Sequence, residues 1–191
     1  MIRNALRRLR RQRGYSLVEM LIVLSILGVV MAGLTTLFVQ ASNAELDMNN
    51  RFQAQLNARL ALDKMRREVH CGSIATPAGS SSSVTITLPT YCKTGSGSIT
   101  WCTRNVSTNR YALYRVVGST CSGGVKWADY LVPTSTAPTC SGALCIFTYT
   151  AQSATSLAKL HVDYPVNIRP SKSVELYELQ DDIVLRNSTR S

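Results

Sequence analysis

Apolar positions along this chain follow three successive patterns. Leu21–Val39 is a run of nineteen residues without a charge. As a helix it covers roughly 28 Å, about the hydrocarbon thickness of a bilayer. From about Ala41 to Val69 the pattern turns amphipathic. Met48, Phe52, Leu56 and Leu60 form one i, i+4 row, and Ala58, Leu62, Met65 and Val69 form a second. Together the two rows predict one broad apolar face. Asp63 with Arg67, and Lys64 with Glu68, stand four residues apart as opposite-charge pairs. Proline is absent before Pro77, so a single helix is expected over about 16–70, roughly 80 Å long.

Beyond Ser73, short β-branched runs alternate with Gly, Ser, Thr and Pro. A small-residue loop, Pro77–Ser83, precedes candidate strands at Val84–Leu88, Ser98–Thr103, Arg110–Val117 and Val125–Val132. Further candidates are Cys145–Thr150, Leu157–Tyr164, Val174–Leu179 and Ile183–Arg186. The fold class is therefore α+β: a long N-terminal transmembrane and amphipathic helix packed on an antiparallel β-sheet domain. The expected organisation is a leader over 1–14, an apolar helix over 15–40, its amphipathic continuation over 41–71 and a β-rich domain over 72–191.

Charge changes this picture mainly at the N-terminus. The 191 residues carry a formal charge of +10, from 21 Lys+Arg and 11 Asp+Glu. Six of the basic residues, Arg3, Arg7, Arg8, Arg10, Arg11 and Arg13, precede the apolar run without an acidic neighbour. The rest of the chain holds 15 basic and 11 acidic side chains, a balance of +4. An Arg cluster ahead of a spanning helix predicts a cytoplasmic N-terminus and an external C-terminal part. A secretory signal peptide is the alternative, with Val39-Gln40-Ala41 as its cleavage site. The apolar run is longer than the usual h-region of about 7–15 residues, and that alternative leaves Glu19 without a role.

The junction reads Arg13-Gly14-Tyr15-Ser16-Leu17-Val18-Glu19-Met20, running into Leu21-Ile22-Val23-Leu24. This resembles the N-terminus of type IV prepilins, the class shared by pilins and type II secretion pseudopilins. The resemblance covers about residues 8–40. It implies cleavage after Gly14 by a membrane-embedded prepilin peptidase and N-methylation of the new N-terminus, Tyr15, where the family more often has Phe. Val184-Leu185-Arg186-Asn187 is similar to the closing strand of minor pilins and of J- or W-like pseudopilins. The expected partners are the peptidase, other pilin-type subunits along the helix, and the cytoplasmic membrane, before assembly into an extracellular or periplasmic filament.

Glu19 supports this reading on physical grounds. A carboxylate in an apolar helix costs about 2.5–3.5 kcal/mol even on lenient insertion scales. Cleavage would create an ammonium group at Tyr15, and residues 15–50 otherwise hold no Lys or Arg. Pairing between Glu19 and a neighbouring subunit's Tyr15 amine would fix axial register. The simpler alternative places Glu19 at the membrane interface, snorkelling to water. Gly28 and Gly33 serve either close helix packing or local unwinding, or are tolerated as glycines in transmembrane helices often are.

All six cysteines, Cys71, Cys92, Cys102, Cys121, Cys140 and Cys145, lie in the external part and predict three disulfides. Six cysteines allow 15 connectivities. The preferred pairs are Cys140–Cys145 across a short loop, Cys92–Cys102 around a hairpin, and Cys71–Cys121 by remainder. Zinc finds no C-x-x-C, and only His70 and His161 as imidazoles; these read as helix-end and strand residues. The sequence contains no nucleophile elbow, H-E-x-x-H or Walker loop, so neither an enzyme nor a cofactor is expected. Glu178, Asp181 and Asp182 form a potential calcium cluster, more simply read as a solvated turn. Asn105-Val106-Ser107 and Asn187-Ser188-Thr189 match the glycosylation sequon, which carries little weight in a prokaryote.

A rival function is a secreted or membrane-tethered binding module for DNA or a surface ligand. Its candidate face combines Arg104, Arg110, Arg115 and Lys126 with Tyr111, Tyr114 and Trp127. Strand alternation divides that face between two sides.

Overall fold

The computed structural model of the chain describes residues 15–170 and 175–188. Gly14, the leader arginines, Val174 and Thr189 lie outside the described residues. One helix, α1 (Leu17–Cys71), runs for 55 residues. The chain divides into two compact units, Met1–Met48 and Asn49–Ser191.

In the first unit, every large apolar residue from Leu17 to Val39 is exposed. The hydroxyls within this stretch bond to their own helix. Ser25 Oγ donates to Leu21 O at 2.8 Å, Thr35 Oγ1 to Met31 O at 2.8 Å and Thr36 Oγ1 to Gly33 O at 2.8 Å. Among the described residues, no heavy atom lies within 4 Å of where a Cβ would stand at Gly28 or Gly33, apart from their chain neighbours and the local helix backbone.

The second unit begins with the last part of α1 and continues through β1 (Ile74–Thr76), β2 (Gly79–Ser81), β3 (Ser83–Leu88), β4 (Gly97–Ser107), β5 (Arg110–Val117) and β6 (Val125–Leu131). It then forms β7 (Thr139–Cys140), β8 (Ala143–Leu144), β9 (Phe147–Thr150), β10 (Lys159–Val166) and β11 (Tyr177–Val184). The main sheet has nine strands, ordered β1-β3-β4-β5-β6-β10-β9-β2, with β11 added to β10. The pairings are antiparallel, and β7 and β8 form a separate hairpin. β1 and β2 stand at opposite ends of this order, yet only Pro77 and Ala78 separate them. So short a link spans about 11 Å, so the ends of the sheet approach each other and the sheet curls.

The curl encloses Trp101, Tyr164, Phe147, Ile86, Leu113 and Leu160, and Met65 of α1 is buried in the same core. The helix contributes Ala54, Ala58, Ala61, Leu62, Met65 and Val69 to that core. The other predicted row is not part of it: Met48 is 73% exposed, Phe52 60%, Leu56 37% and Leu60 50%. The reason is angular. Leu56 and Leu60 stand two residues from Ala58 and Leu62, about 200° around the helix. The two rows therefore occupy opposite faces, and the alanine row completes the buried one.

Two other expectations need correction. Where two strands were expected, Val174–Leu179 and Ile183–Arg186, the chain forms one, β11 (Tyr177–Val184), paired with β10 without a break from Val166↔Tyr177 to Lys159↔Val184, and Leu185 and Arg186 lie past its end. Glu178, Asp181 and Asp182 thus lie in a strand, and Asp181 and Asp182 meet cations on neighbouring elements. The loop expected at Pro77–Ser83 contains β2, which adds to β9.

Candidate functional site: an exposed apolar helix and its anchor

The α-helix begins just after the predicted processing point. Met20 N donates to Ser16 O at 3.1 Å, and Tyr15 is exposed ahead of the first turn. Glu19 lies in that first turn, where the unpaired amides of a helix N-terminus favour a carboxylate. Among the described residues, the Glu19 carboxylate has no ion-pair partner. Around it Leu17, Val18, Met20 and Leu21 are all exposed. The helix is long and apolar enough to cross a membrane, with a mean hydropathy of 2.5 in its most apolar window and none of that window buried. The arrangement suits lateral association of apolar helices, with one charge available to a partner.

Glu68 anchors the other end of the helix. Its carboxylate is fully buried and receives Trp101 Nε1 at 2.8 Å and Arg115 Nε at 2.8 Å. Arg115 Nη2 also approaches at 2.8 Å, and Lys64 Nζ lies 3.3 Å away. The sequence reading found only the Lys64 partner. Position 68 stands three residues after Met65, so a helical wheel places it on the buried face. That was the available signal, because a carboxylate there requires cations from the sheet. The Asp63 carboxylate pairs with Arg66 rather than with Arg67. Arg67 Nε donates to Asp63 O at 3.2 Å, while Arg66 takes the Asp63 carboxylate at 3.3 Å and Asp181 at 2.9 Å.

Three arginines on α1 meet the C-terminal segment in order. Arg51 pairs with Glu175 at 2.8 Å, Arg59 Nε donates to Tyr177 Oη at 3.1 Å, and Arg66 pairs with Asp181. Beyond them a ring nitrogen of His70 lies 2.9 Å from Val184 O, and Asn187 Nδ2 donates to Cys71 O at 3.0 Å. Val184 ends β11, and Leu185 is buried.

The disulfides are Cys71–Cys92, Cys102–Cys121 and Cys140–Cys145. The short-loop pair is as expected; the other two differ. Cys92 follows β3 and lies beside the end of α1, whereas Cys102 faces the β5–β6 connection across two paired strands. Sequence spacing cannot see that register.

Most residues of the candidate DNA face also have partners inside the chain. Arg115 turns to Glu68. Arg110 and Lys126 both hold Asp129, at 2.9 and 2.8 Å, and Arg110 stacks 4.0 Å from the Tyr130 ring centroid. Burial works to raise the Asp129 carboxyl, but hydrogen bonds from Arg110, Lys126 and the Tyr130 amide outweigh it and hold it at about 2. Tyr111 is buried, and Trp127 packs against Trp101 with centroids 5.9 Å apart.

Two of the three acidic residues, Asp181 and Asp182, meet cations or His161 on neighbouring elements. His161 Nδ1 and Lys159 Nζ meet Asp182 at 2.8 and 3.1 Å, and their hydrogen bonds lower its carboxyl. Among the described residues, no group of three or more His, Cys, Asp or Glu is arranged to hold a metal ion.

The N-terminal region matches a family defined as the prokaryotic N-terminal methylation motif, over residues 9–35. No curated protein and no solved structure matches the chain significantly. The motif covers the junction around Gly14, Tyr15 and Glu19 and much of the exposed helix. It gives the chain a type IV pilin-like signature, of a class that is structural rather than catalytic. A prepilin-type motif implies processing by prepilin peptidase and assembly with other pilins, and the apolar helix fits a membrane-anchored pilin-type protein.

Proposed function

We propose that the chain is a structural subunit of a type IV pilus, a competence pilus or a type II secretion pseudopilus, in a minor rather than a major position. Prepilin peptidase cuts after Gly14, and Tyr15 is then N-methylated. Before assembly the helix spans the cytoplasmic membrane with its N-terminus inside. In the filament, Glu19 of one subunit pairs with the Tyr15 amine of a neighbour and sets register. The observation that carries this reading is the methylation motif in register with a helix whose apolar surface is exposed among the described residues. The minor assignment rests on the resemblance of Val184–Asn187 to minor pilins and J- or W-like pseudopilins.

Glu19→Ala tests the proposal. The variant is expected to insert and to be processed, but to drop out of purified filaments by at least about tenfold, the factor that corresponds to 1.4 kcal/mol of lost pairing. Incorporation at the wild-type level removes the register role. DNA binding by the intact chain that weakens steeply with salt, together with normal filament incorporation of Glu19→Ala, would instead favour the tethered binding module.

A further inference from the structure

Cys121 is exposed in the Gly118–Gly124 connection between β5 and β6, while its partner Cys102, in β4, is only 1% exposed. In each of the other two bridges one cysteine is half-buried and the other buried. The connection is shaped by Gly118, Gly123 and Gly124, at φ of 121°, 67° and 84°. Arg104, two residues beyond Cys102 on β4, reaches across it. Its Nε donates to Cys121 Sγ at 3.3 Å and its Nη2 to Gly123 O at 2.6 Å. Its guanidinium carbon lies 4.2 Å from the Tyr114 ring centroid. A cation is thus fixed against the accessible sulfur. Among the described residues, no charged side chain hydrogen-bonds to a sulfur of the other two bridges.

In thiol–disulfide exchange the thiolate is the attacking species, and access decides which sulfur is attacked. An adjacent guanidinium favours the thiolate, whereas apolar burial disfavours it. Both effects single out the same atom. We propose that Cys121 is the sulfur through which the Cys102–Cys121 bridge is formed and exchanged. The partner is a thiol–disulfide oxidoreductase carrying a reactive disulfide, and Arg104 is the positioning residue.

In the forming direction, the Cys121 thiolate attacks one sulfur of the oxidant's disulfide. A mixed disulfide forms, and the oxidant's other sulfur leaves as a thiolate. Cys102 then loses its proton and attacks Cys121 Sγ, expelling the oxidant's first sulfur. The two cysteines lose two electrons, the oxidant becomes a dithiol, and the two cysteine protons balance its thiolates. In the reverse direction an external thiolate attacks Cys121 Sγ and Cys102 leaves. The asymmetry is local to residues 102–124 and does not depend on the filament reading.

Two experiments test it on the full chain in detergent. The oxidised protein is exposed briefly to glutathione, quenched with acid and mapped by mass spectrometry. Within this bridge the glutathione adduct is expected on Cys121, and an excess on Cys102 overturns the proposal. In a Cys102→Ser background, Arg104→Gln is expected to slow Cys121 alkylation at pH 7 roughly threefold. That figure is about tenfold less thiolate, partly offset by a nucleophilicity about threefold higher. At a pH where both thiols are fully ionised the order should reverse, with Arg104→Gln reacting about threefold faster, and Arg104→Lys should restore most of the rate at pH 7. An unchanged rate at pH 7, or a deficit that persists at high pH, removes Arg104 from the proposal.

Discussion

The two units solve the problem of apolar surface in opposite ways. In the unit from Asn49 onward, a curled sheet buries Trp101, Tyr164 and Phe147, and even the one carboxylate on the buried helix face is satisfied by Trp101 and Arg115. Three disulfides restrain this unit further. In the unit ending at Met48, apolar side chains stay exposed through the whole run, and its hydroxyls bond only within their own helix. Apolar surface on that scale is costly in water. The first unit is therefore built to be covered by lipid or by other helices, and the second carries its own partners.

The largest effect that sharpens this contrast is expected at Glu68. Glu68→Ala leaves Arg115 with an unpaired charge and Trp101 without its acceptor, at a cost of about 3–5 kcal/mol. Urea unfolding followed by tryptophan fluorescence checks it. A loss below about 1 kcal/mol would break the claim that Glu68 anchors the helix to the sheet.

Next come the two apolar rows of α1. Met65→Ala should cost about 2–5 kcal/mol, while Phe52→Ala should stay within about 0.5 kcal/mol, as for an exposed site. Equal losses in the same unfolding experiment would mean that the helix buries a different face. At the helix end, a Cβ at residue 72 would stand 2.5 Å from Ile86 Cγ2. Gly72→Ala should therefore cost about 1–3 kcal/mol through overpacking.

The smallest effect concerns acid. Asp129 titrates at about 2 in the folded chain against an ordinary 3.8. A carboxylate lowered in this way stabilises the fold fully above its unfolded value, and the contribution is lost as pH falls from about 4 through 2. Chemical unfolding across that range should show wild type losing about 1–2 kcal/mol more than Asp129→Asn. Parallel curves would show that the Arg110 and Lys126 contacts contribute nothing to stability.

Much of this was legible in the sequence because it depends on local period or on a motif in fixed register. The uninterrupted run after Glu19 showed the helix and its exposed apolar surface, and alternation found Arg110–Val117 within its observed bounds. Cys140 and Cys145 could be paired because five residues leave little choice. The rest depends on which strand lies beside which. Cys102 meets Cys121 only because β4 and β5 are paired in a particular register. Gln180-Asp181-Asp182 has the composition of a turn, but Lys159, His161 and Arg66 stand opposite and let it continue as strand. The partners of Arg110, Arg115 and Lys126 were hidden for a similar reason: Glu68 and Asp129 lie far away in sequence or on another strand.

The central claim is that the exposed helix is an assembly element freed by cleavage at its head. Intact-mass and N-terminal peptide mass spectrometry of the protein from its native membrane tests this most directly. The expected mature chain begins at Tyr15 and carries one methyl group on its α-amine. A chain beginning at Ser42, with the apolar run removed, would contradict the account.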